Sequence, residues 1–583
     1  MGPAARFARR PGRVLSALTW AGVTAVVALV WLPFLRSPRV NDESGDWTFR
    51  TDYTAYALHA IFSDHQLPFW VTHPRFEQLR MPGVHDFFAN PETDVLSGLT
   101  VLARLLPYLG AVKALLVLYL AVGVYGAQRL VRALSGHASA PATLLLSLIV
   151  LCNGSYLAHV LVGHVQFMSL ALFPLSLALL VEAGAAKVSF AQRLLLGGGA
   201  GALLAVAFYG GNTHPLVHFV TLFVAGFSVV SALLGPRSSA RTLFAGGVAG
   251  AAFVAFAAWK LVPAYADFEG YRADYVIRYD GWRELVRNLV TDYSHATGSE
   301  PHEQNAYIGW AAVGFLVLAV TGWNRRTVPL VLVLLPLPIV MFAHEGDHLL
   351  TLPLLRTQGA VCRLVLPILF GLAVAAAVRL NDVLARARRG ESSRAFVVYP
   401  LLWLLALGLA GKVAKDLHAN VLGSVAHACR QPVPVAKGPF DASPAFTAAH
   451  PRRATVIAQA PTANAFAYTY TQQGDPIRPE LLVARELPRS GDRPHLTLVG
   501  DGTLTEYEGY LAVRPSRPQG RFELRFSDPR VQRGLVITVL ATLGWIVLSV
   551  RAWRARKRRR DAGATTGRRS PSGSRADSSH RAV

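Results

Sequence analysis

The chain is organised around blocks of about 20 apolar residues almost free of charge, and no other feature limits its fold as strongly. At 1.5 Å of rise per residue, such a block is the length of helix that crosses about 30 Å of hydrocarbon. About twelve candidate spans follow one another: 15–35, 111–130, 141–160, 166–183, 193–210, 213–234, 242–263, 306–323, 328–344, 363–380, 395–413 and 533–551. Lipid offers the backbone no hydrogen bonds, so each block is expected to be helical. Charged residues make up 16% of the 583-residue chain, against roughly a quarter in soluble proteins. The fold class predicted is therefore an α-helical polytopic membrane protein.

The net charge of +23 does not mark a nucleic-acid binder, because no reading module accompanies it. Much of it lies in the short loops Arg129/Arg132, Lys187/Arg193, Arg237/Arg241 and Arg325/Arg326, in the run 386–394, and in the tail after Arg551. Retention of Lys and Arg on the cytoplasmic side produces this pattern. It predicts a multi-pass protein of the cytoplasmic membrane with both termini inside, the tail lying against anionic lipid. Arg6, Arg9, Arg10 and Arg13 precede a first apolar run too long for a signal-peptide core, so that run is expected to stay as an uncleaved span. Cys152, Cys362 and Cys429 have neither metal-ligand nor disulfide spacing and are expected to pack as small apolar groups.

Three long segments then fall outside: 36–110, 264–305 and 414–532. In the first, apolar residues recur at helical spacing from Asp52 to Phe62, predicting an interfacial helix that begins at Asp52. A second amphipathic piece runs from Val95 to Leu106. The last segment holds short β-prone runs at 465–471, 494–499, 509–513 and 521–526 between Gly, Pro and Asp turns, predicting a small β domain. The domain plan is a membrane module over 1–413, the β segment over 414–532, a last span over 533–551 and a basic disordered tail over 552–583.

Familiar soluble-enzyme motifs are missing: no P-loop, G-x-S-x-G, H-E-x-x-H or paired CxxC. The chemistry-bearing residues left are acids, histidines and arginines near the outer ends of the spans. Asp52, at a helix start on the water–lipid boundary, is placed to take a proton from an acceptor group. Asp42, Glu43 and Asp46 are candidate ligands for a divalent cation. His164 and His214 stand at the ends of apolar blocks, where polar groups are costly and point to function. Arg356 and Arg363 are two helical turns apart on the side where the charge rule does not call for them, and guanidinium forks suit phosphate.

These landmarks, in this order, resemble the GT-C superfamily of polytopic glycosyltransferases, and most of all its bacterial YfhO-like membrane proteins. The family's catalytic acid followed by Pro-Leu-Trp and Asn-Pro elements corresponds here to Asp52, Leu67-Pro68-Phe69-Trp70 and Phe88-Ala89-Asn90-Pro91-Glu92. Gly163-His164-Val165-Gln166-Phe167 resembles its Gly-His-x-x-Phe, and Gly211-Asn212-Thr213-His214-Pro215 its Gly-His-Pro. Ala306-Tyr307-Ile308-Gly309 resembles its Tyr-x-Gly, the segment 352–363 its Leu-Pro element with arginines, and 520–526 its closing strand. The resemblance covers nearly the whole chain, and collinearity is its specific part.

It implies a GT-C-like membrane module that moves a sugar from a polyprenyl-phosphate donor to an acceptor on the outer membrane face. In that picture Asp52 is the general base, and Arg356 or Arg363 meets the donor phosphate. His164, His214, Trp70, Asn90, Glu92 and Tyr307 shape the substrate site, with or without a divalent cation. Two other readings share these features: a transporter or flippase of a lipid-linked or polar substrate, and a non-catalytic envelope assembly protein with the same fold.

Overall fold

A computed structural model describes residues 11–38, 40, 46–68, 87–90, 92–212, 218–234, 236–268, 276–291, 301–321, 327–344, 347–351, 355, 359–388, 395–419, 446–448, 454–462, 465–472, 481–484, 495–508 and 510–566. Among these, seven helices are long and apolar enough to cross a membrane, and eight if one bent pair counts as a single span. The seven begin at Tyr108, Val165, Phe190, Ala240, Val361, Val397 and Pro529. Shorter apolar helices cover Ser16–Val30, Val220–Leu234 and Val328–Met341. The last of these is interrupted, with helix only over Val328–Leu332 and Leu337–Met341. Pro336 stands immediately before the second piece, where its missing N–H costs no helical hydrogen bond.

The bent pair, Ala140–Leu151 and Gly154–Val162, turns by 46°. Asn153 causes the turn. Its Nδ2 donates to the carbonyls of Ile149 and Val150, satisfying the end of the first helix, while its Oδ1 accepts from Tyr156 N and caps the second. The second piece ends at Gly163, whose φ of 109° lies in the left-handed region that glycine tolerates. Polar groups mark the opposite end of the bundle. Arg129 pairs with Glu182 at 2.6 Å, and Asn381 caps the Ser139 amide while donating to the His137 carbonyl.

The helix predicted from Asp52 starts earlier, at Asp46, and runs to Phe62. It is not an amphipathic helix resting on lipid, because eleven of its residues are buried, including Trp47, Arg50, Asp52, Tyr53 and Tyr56. Asp52 therefore sits in its second turn rather than at its N-terminus. The Trp47 indole donates to Leu161 O at 2.9 Å, tying the start of this helix to the end of Gly154–Val162. The Val95–Leu106 piece is a short helix, Gly98–Ala103, capped by the Ser97 hydroxyl.

Beyond the Ala395–Ala419 helix, eight strands among the described residues form two four-stranded antiparallel sheets. One has the order 446–448, 482–484, 510–514, 503–507, and the other 454–462, 465–472, 519–526, 496–500. Tyr468, Tyr470, Phe522 and Leu524 from one sheet and Leu482, Leu511 and Val513 from the other share a single core. The four β-prone runs of the sequence all carry strands. The final helix, Pro529–Thr566, is longer than the predicted span 533–551 and includes the first part of the expected tail; 567–583 lies outside the described residues. Cys152 and Cys362 are buried free thiols, and Cys429 lies outside the described residues.

Candidate functional site

Four stretches far apart in sequence meet at one end of the bundle, opposite the Arg129–Glu182 pair. The bent span brings His159. The residue after the Gly163 cap is His164, and a 3₁₀ turn over Val165–Leu172 brings Phe167. The short helix Pro301–Gln304 brings His302 and Glu303, the start of the long helix after Val361 brings Arg363, and the first turn of Asp46–Phe62 brings Asp46.

Glu303 is the hub. Arg363 grips both of its carboxylate oxygens through Nε and an Nη nitrogen, a bidentate fork. His159 Nε2 lies 3.1 Å from Glu303 Oε2, and His302 Nε2 lies 3.5 Å from Oε1. His164 Nε2 lies 3.3 Å from Asp46 Oδ2. The Phe167 ring stacks on His159 at 3.8 Å between centroids, and the Arg363 guanidinium sits 5.3 Å over the same ring. Burial pushes the Glu303 carboxyl up, but the charge of Arg363 and the His159 ring outweigh it and hold the group well below the ordinary carboxylate range. Among the described residues, His159, His164 and Glu303 are the group whose donor atoms lie close enough for one metal ion.

The surrounding chain is pinned by backbone. Gly154 N donates to Tyr307 O at 2.6 Å, and a Cβ on Gly154 would lie 2.5 Å from Tyr307 N, so the 301–308 loop packs directly on the capped turn. Tyr279 Oη donates to Gln304 O, and Ile277 bridges Ala360. The 276–279 and 301–308 pieces and the approach to Arg363 are thereby joined.

A second polar cluster lies beside the first. Arg50 pairs with Glu92 at 2.9 Å and donates to its carbonyl as well. Asn90 Nδ2 donates to Tyr53 Oη, and its Oδ1 accepts from Glu92 N. Asp94 accepts from Thr54 Oγ1, and Lys260 Nζ donates to Thr93 O. Burial holds the Asp94 carboxyl above its ordinary value, against the opposing charge of Arg50. Asn90 and Glu92 thus hold 87–90 and 92–94 against the Asp46–Phe62 helix.

Of the residues nominated from sequence, His164 and Arg363 are brought into one cluster, and Tyr307 borders it through its backbone. Asp46, named as a metal candidate, contacts His164. Asn90 and Glu92 belong to the neighbouring cluster. Asp52 is buried on the helix that begins with Asp46, six residues along it, or about 9 Å of rise. Trp70, His214, Arg356, Asp42 and Glu43 lie outside the described residues.

No family model and no curated protein matches the chain. Among solved structures it is similar to the single-particle cryo-EM structure of the arabinofuranosyltransferase AftD from Mycobacteria. The two share 15% identity, the match covers 71% of this chain and 27% of that one, and the TM-score is 0.43. The chain therefore spans well under a third of the length of that protein.

Sequence reasoning missed His159, His302, Glu303 and Arg50. His159 had a usable signal: among Asp, Glu, Lys, Arg and His it is the one such residue within the apolar block 141–160, where these groups are rare without a role. Glu303 had none, since an acid in a polar loop is ordinary until the fold buries it.

Proposed function

We propose that this chain is a membrane-embedded glycosyltransferase of the GT-C type, moving a sugar from a polyprenyl-phosphate donor to an acceptor at the outer face of the cytoplasmic membrane. The observation that carries the reading is the meeting of Arg363, Glu303, His159, His164 and Asp46 at one end of a bundle of apolar helices. A lipid-linked phosphate presents its charge at that level and its tail below it. On the same helices, one to two turns deeper, a small apolar pocket is lined by Val150, Asn153, Leu170, Phe173, Leu366 and Phe370 among others.

In this reading Arg363 is the cation nearest the donor phosphate, held in aim by Glu303 and by the Phe167 ring. Asp52 takes the proton from the acceptor, and a single displacement inverts the anomeric carbon. A transporter would instead gather its polar residues near mid-membrane, whereas the ionic cluster here stands at the helix ends.

The test uses membranes supplied with a radiolabelled polyprenyl-phosphate sugar and envelope acceptor. Asp52→Asn is expected to insert at normal levels and to lose transfer by at least 10²-fold, about the low end of what a general base contributes. Unchanged transfer removes Asp52 from the mechanism. Envelope glycans identical by mass spectrometry in a deletion strain and its parent would set aside the transferase reading itself.

A further inference from the structure

We infer that His159, His164 and Glu303 bind a divalent transition-metal ion, Zn²⁺ by the chemistry of the donors. One ligand atom from each residue lies within 4.8 Å of the other two. Three ligands about 2.1 Å from one tetrahedral ion stand about 3.4 Å apart, so a modest closure of the three side chains completes the site.

The hydrogen bonds around each histidine present it as a ligand. The Ser155 carbonyl can only accept, so the His159 Nδ1 at 2.7 Å carries the hydrogen and Nε2 keeps its lone pair. That lone pair faces a carboxylate oxygen of Glu303 at 3.1 Å. Two acceptors so close need a positive species between them, either a proton or a metal ion. His164 is arranged alike: its Nε2 lies 3.3 Å from Asp46 Oδ2, which favours the hydrogen on that nitrogen, and its Nδ1 is buried with no hydrogen-bond partner. A ring whose far nitrogen is held by a carbonyl or carboxylate is the usual support of a metal-binding histidine. Arg363 supplies the same support to Glu303.

Two imidazoles and one carboxylate favour Zn²⁺ over Mg²⁺ or Ca²⁺, which prefer oxygen ligands. An ion there, with Arg363 beside it and Glu303 and Asp46 as the nearby acids, leaves the site net positive. The open coordination position would therefore take an anionic oxygen, from hydroxide or phosphate. Metal binding does not depend on sugar transfer, so either reading can fail alone.

The experiment purifies the full chain in detergent on a tag without histidine and without chelator. It then measures bound metals, strips them and titrates Zn²⁺ and Co²⁺. The expected result is about one ion per chain, with visible Co²⁺ bands of a tetrahedral nitrogen–oxygen site. His164→Ala changes the least buried of the three side chains, 13% exposed; it should lose the ion and the bands while keeping its helical circular dichroism. Asp46→Asn, which touches only the support, should weaken Zn²⁺ binding about 10- to 100-fold. It carries the test if His164→Ala fails to fold. Wild-type protein that binds neither ion, or binding undiminished in the variants, overturns the inference and leaves a proton shared between His159 and Glu303.

Discussion

At the scale of single residues, Gly163 governs the site more than any charged group does. It ends the Gly154–Val162 helix with φ 109°, and a Cβ there would lie 2.7 Å from Trp47 N. Gly163→Ala meets both a left-handed backbone penalty of about 1–2 kcal/mol and a clash with the Asp46–Phe62 helix. The variant is expected to lower the melting temperature in detergent and to separate Asp46 from His164. Unchanged stability together with unchanged activity would show that this contact matters little. The sequence marks Gly163 only as part of a Gly-His pair. That it abuts a helix more than a hundred residues away is a property of the fold.

At the scale of elements, the Asp46–Phe62 helix departs most from expectation. Its apolar spacing was legible, but lying at the interface and lying within the protein share one pattern of apolar residues. Arg50 and Thr54, one turn apart, interrupt that pattern on one side; they become buried because 92–94 folds over them and supplies the partners Glu92 and Asp94. Burial raises the Asp94 carboxyl. The same group ionises earlier in the unfolded chain, so its contribution to stability is fully present below about pH 4 and is lost as pH rises through the raised folded value. Asp94→Asn removes that titration. The melting temperature of the variant relative to wild type should rise from pH 4 towards pH 7, and a flat difference would mean that Asp94 is not raised.

At the scale of the whole molecule, the Pro529–Thr566 helix links the β sheets to the helical bundle. It docks on Pro236–Phe268 through Gly534, where a Cβ would lie 2.8 Å from Trp259 Cα, and through the Thr538 hydroxyl, which accepts from Trp259 N. Gly534→Leu should cost about 1–3 kcal/mol by overpacking, since backbone cannot yield as a side chain does. A lower melting temperature and faster proteolysis between the strands and this helix are the expected readouts; wild-type values for both would place the attachment elsewhere.

The apolar blocks alone determined that this chain is a bundle of membrane-length helices, because their length matches the bilayer and lipid leaves the backbone no other partner. Alternation and turn residues located four of the eight strands described in the C-terminal unit. Hydropathy counts residues and is blind to bends, so the Asn153 turn and the broken Val328–Met341 helix had to come from the tertiary structure. So did the site. His164 and Arg363 stood out as polar residues at the ends of apolar blocks. Glu303, which links Arg363 to His159, becomes distinctive only when burial forces its charge to find those partners.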